Sequence, residues 1–441
     1  MKKNISFALM LLSIFLYIFS PRSYSFSHNT VYFIIYLISL FLFFSQKKKY
    51  NYFDFDTLFL VANLFVHFIY PVFLYPIDPQ FFVMFSFDFD QNFITRSTVL
   101  SLCGLQAYII GSLSIKSNKR TIVNKPFSES QIRYLPKNHL IPILIVVFLF
   151  FILNIDVSYY EGYSGGFSGF SAYVLLIFVV LLSVLLYSVF VNKKFTGLFY
   201  GNNKIIFIVA IFFILFSLYI GTRTYALMFG ILIIGLFSTY IKFIPLRPFL
   251  FLIGIGCFLM TIVGMTRSGG EISLKSAADL IMDLVINCRS TYVALEYTNE
   301  HGFTLGTSLL GNILACLPFA QGIFVSLTGI HPRDISSSGF LTSLTLGYES
   351  SLGLGTNIIA DLYLAFGFIG VIMAMYLLGR FIAKLMNKLY ISEYSSVVYF
   401  IILSQCLYMA RGEFFTPLRY VVWSLFILIM IRKYRTPSKI Q

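Results

Sequence analysis

Charge is scarce in this 441-residue chain, and the residue patterns of common soluble enzymes are missing altogether. Asp, Glu, Lys and Arg make up 11% of the sequence against 58% hydrophobic residues, and the mean hydropathy is +0.84. A soluble domain carries about a quarter of its residues charged, and no soluble core could bury this much apolar surface. A soluble globular protein is therefore excluded. Cysteine is also rare: of the five present, Cys103, Cys257 and Cys406 fall inside apolar runs, so there is no disulfide framework. Cys288 and Cys316 lie in a long polar-broken segment and read as two unlinked thiols. No Cys/His spacing suits structural zinc, and there is no HExxH, Walker loop or GxSxG elbow. We expect no metal and no cofactor. Asp54-Phe55-Asp56 and Asp88-Phe89-Asp90 space two carboxylates as some metal-dependent sugar transferases do. The first sits at the mouth of a helix and the second in an aromatic loop, and neither is read as a metal site. No repeat at solenoid or inverted-half spacing is visible.

What is present is aromatic and apolar. The 51 Phe and 30 Tyr suit lipid-facing helices with interfacial belts. Apolar runs long enough for a span of about 20 residues recur at 4–20, 30–46, 56–75, 97–115, 140–155, 172–191, 205–220, 224–241, 248–265, 357–379, 394–410 and 418–431. The first follows Met1-Lys2-Lys3 like a signal peptide. It has no small-residue cleavage site and further spans follow, so it reads as a retained helix. The expected fold is an all-α polytopic membrane protein of about twelve transmembrane helices, with a large loop between the ninth and tenth. Residues 1–204 would hold six helices, 205–267 three more, 268–356 a loop domain, and 357–441 the last three helices and a tail.

Orientation follows from Lys and Arg. With the N-terminus in the cytoplasm, the inner segments hold 23 of the 32 basic residues, and the outer side holds nine, with 14 of the 18 acids. Both termini are then cytoplasmic and the 268–356 loop is outside. The net charge of +14 is a topology signal, not a nucleic-acid footprint. The nine outer residues are Arg22, Arg96, Arg223, Arg267, Lys275, Arg289, Arg333, Arg411 and Arg419. Eight are Arg, whereas the inner set is 17 Lys and 6 Arg. Guanidinium is a planar fork that binds phosphate through two bonds, while Lys is a hydrated point charge. Snorkelling at helix ends would also place Arg there. Arg223, Arg267, Arg411 and Arg419 all stand where a helix meets the outer surface, so distant segments could focus guanidinium groups on one anion.

The outer loop is too long for a connector. Leu274 to Ile286 has helical apolar spacing and suits a helix lying on the membrane. Leu309 to Leu327, broken by Gly311, Pro318 and Gly322, reads as a short helical hairpin dipping into the protein. Candidate acid/base groups on this side are His331, Glu349, Asp361 and Glu413, with His301 and Asp334 behind them. Asp361 lies one turn into a helix, where a carboxylate must be paired; an Arg partner is the structural alternative. His67, inside the third span, could be a core hydrogen-bonding group. Tyr159, Tyr160 and Tyr163 stand in the Gly-rich 156–171 loop.

Gly353-Leu354-Gly355-Thr356-Asn357 runs into Asp361 and then Phe366-Gly367-Phe368-Ile369-Gly370. With Gly221-Thr222-Arg223 and Phe303-Thr304-Leu305-Gly306-Thr307-Ser308, this resembles the O-antigen and capsule repeat-unit polymerases of the Wzy type. The likeness covers roughly residues 205–420; the first 200 match only in hydropathy. Two departures stand out: Leu317-Pro318 is followed by Phe319 where the family often has Arg, and Asp361 stands where Glu is frequent. The resemblance implies a GT-C-like membrane glycosyltransferase of the bacterial inner membrane. It would join undecaprenyl diphosphate-linked oligosaccharide units at the periplasmic face, inverting and without metal, with a chain-length regulator as possible partner. His331, Glu349 and Asp361 would be its catalytic candidates. Arg223, Arg267, Arg289, Arg411, Arg419, Tyr159 and Tyr160 would bind substrate. An O-antigen ligase is the nearest alternative, followed by a lipid-linked oligosaccharide flippase and a secondary transporter.

Overall fold

A computed structural model describes residues 2–116, 137–153, 170–191, 200–220, 222–267 and 281–433. It is helical throughout, with no strand among the described residues. Helices run Lys2–Ile18, Phe26–Lys47, Phe55–Ile69, Phe93–Ser114, Lys137–Leu153, Phe170–Val191, Asn202–Tyr219, Arg223–Tyr240, Leu246–Arg267, Ile358–Asn387, Glu393–Ser404 and Leu418–Lys433. A π-helical turn at Tyr70–Leu74 extends the third. Seven of the described helices are long and apolar enough to cross a membrane. Apolar residues on all faces suit helices that meet neighbours on one side and lipid on the other.

Charged groups at one end of the bundle are internally paired. Asp54 caps the Phe55–Ile69 helix by accepting from the Thr57 amide at 2.9 Å, and takes the Lys49 ammonium at 2.6 Å. Asp56, fully buried, accepts from the Tyr108 hydroxyl at 2.5 Å and faces Lys47 at 3.6 Å. Asp54-Phe55-Asp56 is thus a helix cap and a lysine partner, which accounts for both carboxylates. His67 is buried with Nδ1 3.1 Å from the Ser101 hydroxyl, a core hydrogen bond.

Phe93–Ser114 and Ile358–Asn387 pack along much of their length, and two glycines permit it. A Cβ on Gly111 would lie 2.1 Å from the Tyr376 carbonyl oxygen, and one on Gly379 2.1 Å from that of Tyr108. Small residues at such crossings let backbones approach. Gly111→Ala is therefore expected to force the pair apart and destabilise the protein by about 1–3 kcal/mol, the usual cost of overpacking. A lowered melting temperature in detergent would show it, and an unchanged one would mean the crossing is loose.

Residues 281–356 cover the other end. Met282, Val285, Tyr292 and Leu341 form a second apolar cluster with Tyr70, Leu74 and Phe85. One expectation changes and another is only partly covered. Residues 274–280 lie outside the described residues; beyond them, Met282 and Val285 are buried against the bundle while Asp283 and Leu284 are half-exposed. Asp283 stands on the polar face of this turn, and its contacts are given below. The hairpin does form, as Leu310–Leu314 and Ala320–Thr328, but it does not dip inward. No residue of Ala320–Thr328 is buried, and Leu317, Phe319, Ile323 and Leu327 are exposed. The part turned to the protein is Gly311, buried with its amide on the Ile335 carbonyl at 2.6 Å, and the large apolar side chains are left outside. Instead the Phe319 amide donates to the Tyr173 hydroxyl at 2.9 Å, and the Trp423 indole to the Cys316 carbonyl at 3.2 Å. Cys288 and Cys316 are free thiols.

Candidate active site

Two neighbouring sets of groups meet at this covered end, one cationic and one acidic, and Arg411-Gly412-Glu413 joins them. Arg223 is the first residue of its helix, where the positive end of the helix dipole opposes a cation. Asp283 compensates through an ion pair with the Arg223 guanidinium. Arg411 reaches the same residue, donating from Nη1 to the Asp283 carbonyl at 3.1 Å while its plane lies 5.2 Å from the centre of the Tyr408 ring. Asp283 thus holds two guanidinium groups from distant segments side by side. The sequence places it only on the polar face of an amphipathic stretch, and nothing local marks it as their partner.

The other arginines are placed differently. Arg289 is 4% exposed; its Nη2 donates to the Asp88 carbonyl at 2.6 Å and to Thr345 Oγ1 at 3.3 Å, and it lies over the Phe89 ring. Burial pushes its pKa down to about 10, which leaves it charged at neutral pH. It ties the 88–90 loop to the Ser337–Leu346 helix. Arg419 donates to the hydroxyl of its neighbour Tyr420 at 2.9 Å and lies over that ring. The Arg267 side chain, Tyr159, Tyr160 and Tyr163 lie outside the described residues.

The acidic set centres on Asp361 and Glu413. Asn357 caps the Ile358–Asn387 helix and is fixed by Thr291 and the Asn287 carbonyl, so Asp361 falls in the first turn, completely buried. Its partner is not an arginine. Asp361 Oδ2 accepts from the Phe414 amide at 2.8 Å, Oδ1 has no hydrogen-bond partner, and the Glu413 carboxylate acts on it from alongside. Glu413 accepts from the Ser338 amide at 3.0 Å, at the N-terminus of the Ser337–Leu346 helix, and from the Asn312 carboxamide. Burial pushes the Glu413 carboxyl above the ordinary carboxylate range, against the pull of Ser338 and Asn312. In the sequence Glu413 stands among the acid candidates, but Asn312 and Ser338 carry no signal that they would meet it.

Glu413 opens onto a cavity of about 270 Å³, with Gly311, Asn312, Gln321 and Ser336 among its lining. On the other side of the same helix start, a second cavity of about 380 Å³ is lined by Arg333, Ser338, Thr342, Ser350 and Ser351. His331 is exposed beside this region, its ring against Tyr348 and its Nδ1 accepting from the Arg333 amide at 3.2 Å. Glu349 is exposed on the following turn. The structure therefore brings Asp361 and Glu413 together, and Arg223 and Arg411 together, while His331 and Glu349 stand on the outer rim.

The motif glycine at 367 has a left-handed φ of +65°, and the Phe303 ring packs where its Cβ would be. The Phe-Gly-x-x-Gly run thus bends the helix that carries Asp361 and docks the 303–308 motif onto it. The family model of O-antigen polysaccharide polymerase Wzy matches residues 3–435. The chain belongs to the Wzy O-antigen polymerase family. The Wzy match runs back through the first 200 residues, where hydropathy alone carried the resemblance. No curated protein and no solved structure matches the chain. As a Wzy chain it is a multi-pass membrane protein of O-antigen polysaccharide biosynthesis, and its motifs at 303–308 and 353–370 build the bend and carry Asp361.

Proposed function

We propose that this Wzy-family chain joins undecaprenyl diphosphate-linked oligosaccharide repeat units at the periplasmic face of the inner membrane, by metal-independent glycosyl transfer. The reading includes twelve crossings with both termini cytoplasmic, from the 23-to-nine division of basic residues. The observation that carries it is the Arg411-Gly412-Glu413 turn, which sets a guanidinium pair next to a carboxylate pair. Glycosyl transfer from a lipid diphosphate needs cations where the leaving group develops charge and a base for the acceptor hydroxyl. Guanidinium groups do here what a divalent ion would do elsewhere. The two cavities beside the acids, which mix apolar walls with hydroxyl and amide groups, suit sugar rings, and the exposed apolar hairpin suits the surface of the bilayer. A chain-length regulator is the protein partner this role calls for.

Deleting the protein is expected to leave surface glycan of a single repeat unit on its acceptor, read as loss of the ladder above the first band on a gel. Loss of all surface glycan would point to a ligase. Repeat units trapped on the cytoplasmic leaflet would point to a flippase.

A further inference from the structure

Resting on the polymerase reading, we propose a division of labour between the two acids: Glu413 takes the proton of the acceptor hydroxyl, and Asp361 is a neutral, proton-bearing positioning residue behind it. The cavity decides which carboxylate can touch substrate. Glu413 lines it with Asn312, Gln321 and Ser336, whereas Asp361 is fully buried and does not reach it. Hydrogen bonding decides where the proton sits. The groups facing the pair are the amides of Ser338 and Phe414, Asn312, and Ser336 and Ser337, together with each carboxyl itself. Glu413 receives donors on both oxygens, which favours its ionised form. Asp361 receives the Phe414 amide on Oδ2 and has the Ser337 hydroxyl close by, but its Oδ1 is buried without a hydrogen-bond partner. A fully buried carboxyl beside a half-buried one disfavours ionisation of both, and the unsatisfied oxygen is the natural seat of the shared proton. A protonated Asp361 then donates toward Glu413 and fixes its orientation.

In the step itself the acceptor oxygen bonds to C1 of the donor sugar as the bond from C1 to the lipid diphosphate oxygen breaks. The diphosphate leaves with the electron pair, and the hydroxyl proton passes to Glu413. The acceptor sugar would sit in the 270 Å³ cavity, and the leaving diphosphate toward Arg411.

The test uses purified full-length protein in lipid nanodiscs. Its substrate is undecaprenyl diphosphate-linked repeat units isolated from a strain lacking this chain. Glu413→Gln is expected to lower kcat by at least about a hundredfold, the usual scale of a lost general base, with KM within a few fold. Asp361→Asn is expected to stay within about threefold of wild type, because Asn can accept from the Phe414 amide and donate to Glu413. Asp361→Ala, which can do neither, is expected to lose at least about tenfold. Wild type and Asp361→Asn should share an acid limb in which activity rises with pH as Glu413 ionises, centred above the ordinary carboxylate range. Loss of that limb in Asp361→Asn, or a kcat as low as that of Glu413→Gln, would make Asp361 the base and overturn the proposal. Wild-type kcat in Glu413→Gln would overturn it equally, and the wild-type limb is a check that needs no variant to fold. If wild type extends no repeat unit at all, the polymerase reading fails first, which separates the two.

Discussion

Replacing Arg223 and Arg411 together by lysine is expected to abolish long-chain glycan while the protein still inserts at its normal level. Both guanidinium groups are held at Asp283, one on its side chain and one on its carbonyl. Lysine would keep the charge there but lose the planar fork and, at 411, the stacking on Tyr408. Truncating one partner of a desolvated ionic contact costs roughly 2–5 kcal/mol. At about 1.4 kcal/mol per tenfold, each change alone lowers the rate on the order of thirtyfold, provided the contact strengthens as the diphosphate leaves. Arg22→Lys, at an exposed loop position, should be silent. Chain length on a gel, normalised to inserted protein, is the measurement. Equal tolerance of lysine at all three positions would reduce these arginines to membrane-interface anchors, and the anion site would be given up.

Arg289→Ala should give an equally large effect of a different kind. Its guanidinium, 4% exposed, satisfies the Asp88 carbonyl and Thr345 and covers Phe89. Removing it breaks the tie between the exposed Asp88 carbonyl and Thr345, which keeps its bond to the Leu341 carbonyl, and uncovers the buried Phe89 ring, at roughly 1–3 kcal/mol in all. The outer cover should then loosen from the Phe85–Phe89 region. Protein level and melting temperature in detergent are expected to fall, with the surviving molecules extending glycan at a normal rate per molecule. A variant that inserts and melts like wild type but makes no polymer would return Arg289 to the anion site.

The contrast between these arginines shows what can be read along a chain. Arg223, Arg289 and Arg411 look alike in sequence: each is an outer Arg beside small or polar residues. Their roles part only when Asp88 and Asp283 arrive from elsewhere in the fold. The same holds for the acids. His331 beside Pro332 has the chemistry of a base, yet it stands exposed against Tyr348. Asp361 shows its position in a helix but not its neighbour. An arginine was the natural partner to expect, and Phe414 and Glu413 take that place.

Membrane character, helical class, the placement of the apolar runs and the Lys/Arg asymmetry were all legible in the sequence by itself. Each is a sum over some twenty consecutive residues, and burial in lipid acts on that local sum. The Wzy motifs were legible for a related reason. Gly367 needs a backbone that other residues avoid, and such a demand marks a single position. Only the tertiary structure decided that Asp283 joins Arg223 to Arg411, that Glu413 faces a cavity while Asp361 stays behind it, and that Arg289 is a tie. These are pairings between segments far apart in the chain. Their energies depend on distance, desolvation and hydrogen-bond direction, and no local pattern carries those quantities until the helices have packed.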